Sequence, residues 1–160
     1  MLVAHYIGNH ASDALYVRLG WAATRLVQTG DYRRVTHCEV ILGGNCNKAV
    51  IASSSWRDGG VRIKQDVKLN PANWLIADVP RWDVHVAALW FVEHEGEPYD
   101  VRGALATVLP GHHGKGYFCN ESALASIGWK CPQIYGPAQY AAICFSLGSD
   151  FTQEFFALAE

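Results

Sequence analysis

The chain has 160 residues, 50% apolar and 18% charged, with a formal net charge of −2. That is the size of one domain able to bury a core, and it excludes global disorder, which needs low hydrophobicity and high net charge. A pI near 6.4 leaves no basic footprint for phosphates, so no nucleic-acid partner is expected. The longest apolar runs, around Val84–Val92 and Ala141–Leu147, fall short of the roughly 18 residues a membrane span needs. The opening Met1–Gly8 has no basic n-region, so no signal peptide and a reducing cytoplasm of origin are expected. Cysteines at 38, 46, 119, 131 and 144 form no CxxC pair, and an odd number speaks against a disulfide framework.

Ser12 or Asp13 can cap an amphipathic helix, Asp13–Thr29, whose apolar positions Leu15, Leu19, Ala22, Ala23 and Leu26 recur at helical spacing up to the stop at Gly30. The period then changes. Thr36–Leu42 and Ala49–Ser55, on either side of Gly43-Gly44-Asn45, read as a β-hairpin. Val61–Val67 alternates like a half-buried strand, and Trp74–Val79 is another strand closed by Pro80. Asp83 caps a helix to Glu95, with Gly96 as its stop, and Tyr99–Leu109 is a shorter helix ended by Pro110. The loop Gly111–Gly116 leads into a helix at Tyr117–Ala125, and a last helix runs from Pro137 to Leu147 before a softer tail. The expectation is one α+β domain over residues 1–160, a small antiparallel sheet in the middle of the chain with helices before and after it.

Cys119 is the chemically distinctive residue. It lies in the first turn of the expected Tyr117–Ala125 helix, where free N–H groups and the positive dipole end favour a thiolate. A glycine-rich loop directly upstream leaves room for a substrate. The other cysteines read as small core residues. His37 opens a strand and is the type of base that a thiol nucleophile needs. His5, His10, His85, His94, His112 and His113 read as structural or merely exposed, and the adjacent His112-His113 pair lacks a third metal ligand.

Two residues compete to orient His37. A turn about Gly44–Cys46 makes paired positions sum to about 90, which sets Ser53 opposite His37. Glu39 lies two residues along on the same face and has the stronger, charged acceptor. Gly111-His-His-Gly-Lys-Gly lacks the GxxxxGK[ST] spacing of a phosphate loop.

Three local patterns resemble the circularly permuted branch of the NlpC/P60 papain-like hydrolases, which includes the lecithin retinol acyltransferase-like enzymes and permuted amidases and peptidases of bacteria and phages. Thr36-His37-Cys38-Glu39-Val40 resembles the family's [ST]-H-x-E-[IVL] strand. Ala49–Arg62 resembles its strand plus GGVR turn, and Tyr117-Phe-Cys-Asn-Glu-Ser-Ala its [WYF]-[FY]-C-S-E nucleophile helix. Gly96-Glu-Pro-Tyr-Asp100 is similar to a G-x-x-YD segment between them. Together these cover about residues 36–125.

The resemblance implies a permuted papain-like fold, Cys119 as nucleophile, His37 as base and a polar third member, commonly Glu or His, on the strand after the hairpin. Here that strand offers Ala52 and Ser53–Ser55, and Asn120 replaces the usual Ser. The implied activity is a cofactor-free thiol hydrolase of amide or peptide bonds. Peptidoglycan is its implied substrate, and a phage product that reaches the cell wall without a signal peptide its implied setting. Tyr99, Trp56 and Tyr117 are expected along the substrate cleft. A thioesterase or acyltransferase on an acyl substrate, and an inactive papain-like binding or virion module, are the alternatives.

Overall fold

The structure is a computed structural model that describes residues 1–8, 22, 24–26, 28–107 and 114–158. Among the described residues, six antiparallel strands form one sheet in the order β4-β3-β2-β1-β5-β6. They are β1 Leu2–Tyr6, β2 His37–Asn45, β3 Lys48–Ser55, β4 Gly60–Val67, β5 Trp74–Asp78 and β6 Ser149–Asp150. The helices are α1 Val84–Glu93, α2 Val101–Ala106, α3 Cys119–Ala125, α4 Pro137–Leu147 and α5 Thr152–Ala157.

The α+β class and the four strands of the middle segment agree with the sequence reading, but the sheet is not confined to that segment. β1, from the very start of the chain, pairs with both β2 and β5 and sits inside the sheet. Its residues Val3, Ala4, His5 and Tyr6 are all buried, so it lacks the polar/apolar alternation that marks a one-sided strand. β6 adds two residues at the far edge, and α5 forms from the expected tail. The Asp13–Thr29 helix falls largely outside the described residues, although residues 22 and 24–26 are helical.

Strand alternation splits the core in two. Val3, Cys38, Val40, Ala52, Val61 and Ala77 face α1, α3 and α4, where Phe91, Cys119, Leu124, Tyr140 and Cys144 complete one cluster. On the opposite face Ala4, Ile41, Ile51 and Ile76 pack against Leu69 and Phe155 of α5. Asp83 caps α1 as expected, its side chain accepting from the His85 N–H. Among the described residues no helix is long and apolar enough to cross a membrane.

Candidate functional site

Cys119 and His37 are held by α3 and β2, which pack on each other through the larger core cluster. α3 is fastened to β3 by two buried serines. The Ser54 N–H donates to Ser122 Oγ at 3.1 Å, and Ser54 Oγ donates to the Tyr117 carbonyl at 2.6 Å. Ser122 Oγ in turn donates to the Cys119 carbonyl at 2.7 Å. The start of α3 is thus tied to the sheet at the row of β3 residues beside β2.

His37 is the first residue of β2. Its Nε2 lies 2.8 Å from Glu39 Oε1, and the imidazole also interacts with the Cys119 thiolate. Burial pushes the imidazole pKa down, but Cys119 and Glu39 more than reverse this and raise it to about 9.

Glu39 is buried and accepts a bidentate guanidinium. Arg62 Nη1 donates to Oε2 at 2.7 Å and Nη2 to Oε1 at 2.5 Å. Burial would raise the carboxyl pKa, yet Arg62 and His37 bring it down to about 2. Arg62 is itself held from behind, its Nε donating to Asp58 Oδ2 at 2.8 Å. The outcome is a chain of charge from Asp58 through Arg62 and Glu39 to His37.

The Ser53 expectation is corrected by the register. Val40 pairs with Ala52 and Ile41 with Ile51, so paired positions sum to 92 rather than about 90. Asn45 pairs with Lys48, which moves the turn to Cys46-Asn47, and a bulge intervenes between Ile41 and Gly43. Continued by one residue, this register sets Ser53 beside Glu39, not His37. Ser53 pairs on its other side with Arg62, and its hydroxyl donates to the Ser54 carbonyl at 3.3 Å. Its small side chain lies on the line along which Arg62 crosses β3 to reach Glu39.

The electrostatics around Cys119 differ from a helix-dipole account. Its pKa is lowered first by a hydrogen bond from the Cys38 thiol, against the cost of burial, and further by His37 and the Cys38 backbone. In the thiol form the S–H donates to Asn120 Oδ1 at 3.1 Å. Asn120 is fixed in that orientation because its Nδ2 donates to the Tyr135 carbonyl. At the N-cap, the Phe118 N–H donates to Glu121 Oε2 at 3.3 Å. Burial, and Asp100 nearby, lift the Glu121 carboxyl to about 7 even though that hydrogen bond favours the charged form.

The three aromatic residues are placed differently from one another. Tyr99 feels the charge of the nucleophile: burial raises its hydroxyl pKa well above the usual value, and the charges of Cys119 and Cys38 raise it further. Tyr117 contributes its backbone carbonyl to Ser54, while its ring turns away to pack edge-on to Trp90 and His94. Trp56 opens a 3-10 turn after β3 and is 53% exposed. Of the loop expected to border the cleft, residues 111–113 lie outside the described residues, and Gly114 donates its N–H to Asp100 Oδ2.

Sequence reasoning missed Arg62, Asn120 and Cys38 as parts of this site. Arg62 is the polar residue of an alternating strand, indistinguishable in one dimension from a solvated position. Cys131, expected in the core, is exposed on a turn. Among the described residues no group of three or more His, Cys, Asp or Glu side chains could hold a metal ion. No protein-family model, curated protein or solved structure matches this chain.

Proposed function

We propose that the protein is a thiol hydrolase of amide or peptide bonds in which Cys119 attacks the carbonyl and His37 shuttles the proton. The observation that carries this reading is the Cys119–His37–Glu39 relay, in which the thiol pKa is lowered and the imidazole pKa is raised to about 9. A thiolate–imidazolium pair, with the sulfur buried and the imidazole half-buried, is a nucleophile and its general acid already in place. Glu39 serves as the orienting acceptor, with Arg62 holding the carboxylate ionised.

The first N–H of α3, that of Cys119, has no acceptor inside the helix and can donate to the developing oxyanion. Tyr99, whose hydroxyl pKa the Cys119 charge helps raise, serves in this reading as a second donor for that oxygen. The fold is read as the permuted papain-like arrangement, because the strand histidine precedes the helix cysteine in the chain and the two meet across one core. Peptidoglycan peptides are the substrate class, by resemblance of the His37, Arg62 and Cys119 patterns. An acyl-transfer reading draws on the exposed apolar side chains of α1 and α2, Val86, Leu89, Val92, Val101 and Leu105.

The test is incubation of the protein with purified muropeptides and, separately, with acyl thioesters, with products read by mass spectrometry. Iodoacetamide labelling of the five thiols at pH 6 runs alongside. Muropeptide cleavage lost in Cys119→Ala, with Cys119 alkylating about tenfold or more faster than the other cysteines, supports the hydrolase. Turnover of the thioesters alone moves the assignment to acyl transfer. Labelling of Cys119 no faster than that of Cys38 or Cys144 overturns both and leaves a binding module.

A further inference from the structure

In the same core cluster as Cys119 lies a second thiol that the hydrolase reading does not use as a reactant. Cys38 pairs with His5 across β1, and the Val40–Ala52 register continued by two residues sets it next to Ser54 on β3. Ser54 is the residue that fastens the start of α3, through Ser122 and the Tyr117 carbonyl. The same strand row therefore carries Cys38 and anchors the helix turn that carries Cys119. Both residues are buried, at 1% and 4% exposure, in one core cluster. The two thiols interact, Cys38 lowering the pKa of the Cys119 thiol.

The remaining cysteines are set apart by position. Cys46 belongs to the cluster on the opposite face of the sheet. Cys131 is exposed on the 3-10 turn after α3. Cys144 shares the core with Cys38 but is on α4, a different element from the β2–α3 pair that carries Cys38 and Cys119.

We propose that Cys38 is the resolving thiol of Cys119: a hydroperoxide that oxidises Cys119 drives a reversible Cys38–Cys119 disulfide, which protects the nucleophile from irreversible oxidation. The steps balance with hydrogen peroxide as the oxidant. The Cys119 thiolate attacks one peroxide oxygen, an S–O bond forms and the O–O bond breaks. Sulfur loses two electrons, and the departing hydroxide takes up a proton as water. The Cys38 sulfur then attacks the sulfenic sulfur. An S–S bond forms, the S–O bond breaks, and the hydroxide leaves with the Cys38 proton as a second water.

The local charges time the second step. While Cys119 is a thiolate, its charge helps hold the proton on Cys38, whose pKa burial has already raised. A neutral sulfenic acid at Cys119 removes that charge, so Cys38 loses its proton more readily once there is a sulfur to attack. An added dithiol reverses the bond and restores both thiols.

The experiment is peptide mapping of the full, reduced chain after hydrogen peroxide, with free thiols alkylated under denaturing conditions and no substrate present. Its readout is peptide mass, so it succeeds or fails independently of the hydrolase reading. The expected result is a Cys38–Cys119 linked peptide that dithiothreitol abolishes, with the other three thiols still alkylated. In Cys38→Ala the expected result is Cys119 carrying two or three oxygens that dithiothreitol does not remove. Cys144→Ala should leave the Cys38–Cys119 peptide unchanged. The proposal is overturned if wild-type Cys119 oxidises while Cys38 stays free, if Cys119 links to Cys144 or Cys131 instead, or if no thiol reacts. Should Cys38→Ala fail to fold, the wild-type map decides alone, because it identifies the linked residues directly.

Discussion

At the scale of single residues, Arg62 decides whether Glu39 can act on His37. A carboxylate this buried is tolerated only with its charge compensated, and the forked guanidinium supplies both hydrogen bonds and charge. Arg62→Met should destabilise the fold by about 3 kcal/mol, because it leaves Glu39 buried and uncompensated. Arg62→Lys should recover only part of this, since an ammonium lacks the fork. Urea unfolding at pH 7 measures both, and equal stability of Met and wild type would dismiss the compensating role. The sequence made Glu39 visible, by its place two residues after His37. It hid Arg62, because no local pattern says that a strand arginine will reach across a neighbouring strand.

Among the elements, the segment from Gly96 to Asp100 does the positioning. It runs between the start of β4 and Tyr117, as a strap stitched on both sides. The Val61 N–H donates to the Glu97 carbonyl at 2.8 Å, Tyr99 N–H to Gly59 at 3.1 Å, and Tyr117 N–H to Pro98 at 3.1 Å. Two glycines let the chains approach this closely. Gly60, at φ +156°, would drive a Cβ into the Glu97 carbonyl, and Gly116, at φ +96°, would drive one into the Pro98 carbonyl. Gly116→Ala should therefore cost about 1–3 kcal/mol and shift Tyr99 away from Cys119. The readouts are the melting temperature and the rate of Cys119 alkylation. Gly96→Ala, also at positive φ but facing open space, is the control and should leave the alkylation rate unchanged. The G-x-x-YD and GGVR resemblances thus coincide with one physical contact between two distant stretches of chain.

For the molecule as a whole, acid is the vulnerable side. Glu39 has its pKa depressed from 4.5 to about 2, so its contribution is complete above pH 4.5 and is lost as the pH falls towards 2. His5 adds to the same slope for the opposite chemical reason. It is wholly buried between Tyr140 and Phe145, neither ring nitrogen has a partner among the described residues, and burial lowers its pKa from 6.5 to about 3. The unfolded chain therefore binds a proton that the folded chain refuses between those values, and stability falls as the pH drops through them. Glu121, raised from 4.5 to about 7, works the other way and offsets His5 between pH 4.5 and 6.5. Loss of stability should steepen below pH 4.5, and His5→Phe, which keeps the ring packing, should gain about 3 kcal/mol at pH 4 relative to pH 7. Urea midpoints across pH test this, and parallel curves for the two proteins would exclude His5 as a cause.

The sequence by itself determined the local elements of this protein: the hairpin from its β-rich runs and Gly/Asn turn, α1 from its Asp83 cap, and the cysteine at the start of α3. These are short-range consequences of periodicity, capping and turn chemistry, which a chain carries wherever it goes. Only the tertiary structure decided that Leu2–Tyr6 lies inside the sheet, that a turn at Cys46-Asn47 together with the bulge before Gly43 sets Ser53 beside Glu39 rather than His37, and that Arg62 and Cys38 complete the surroundings of the site. Those depend on pairing register and on contacts between stretches far apart in sequence. A single inserted residue in a strand changes every partner beyond it, and nothing in the local composition records the choice.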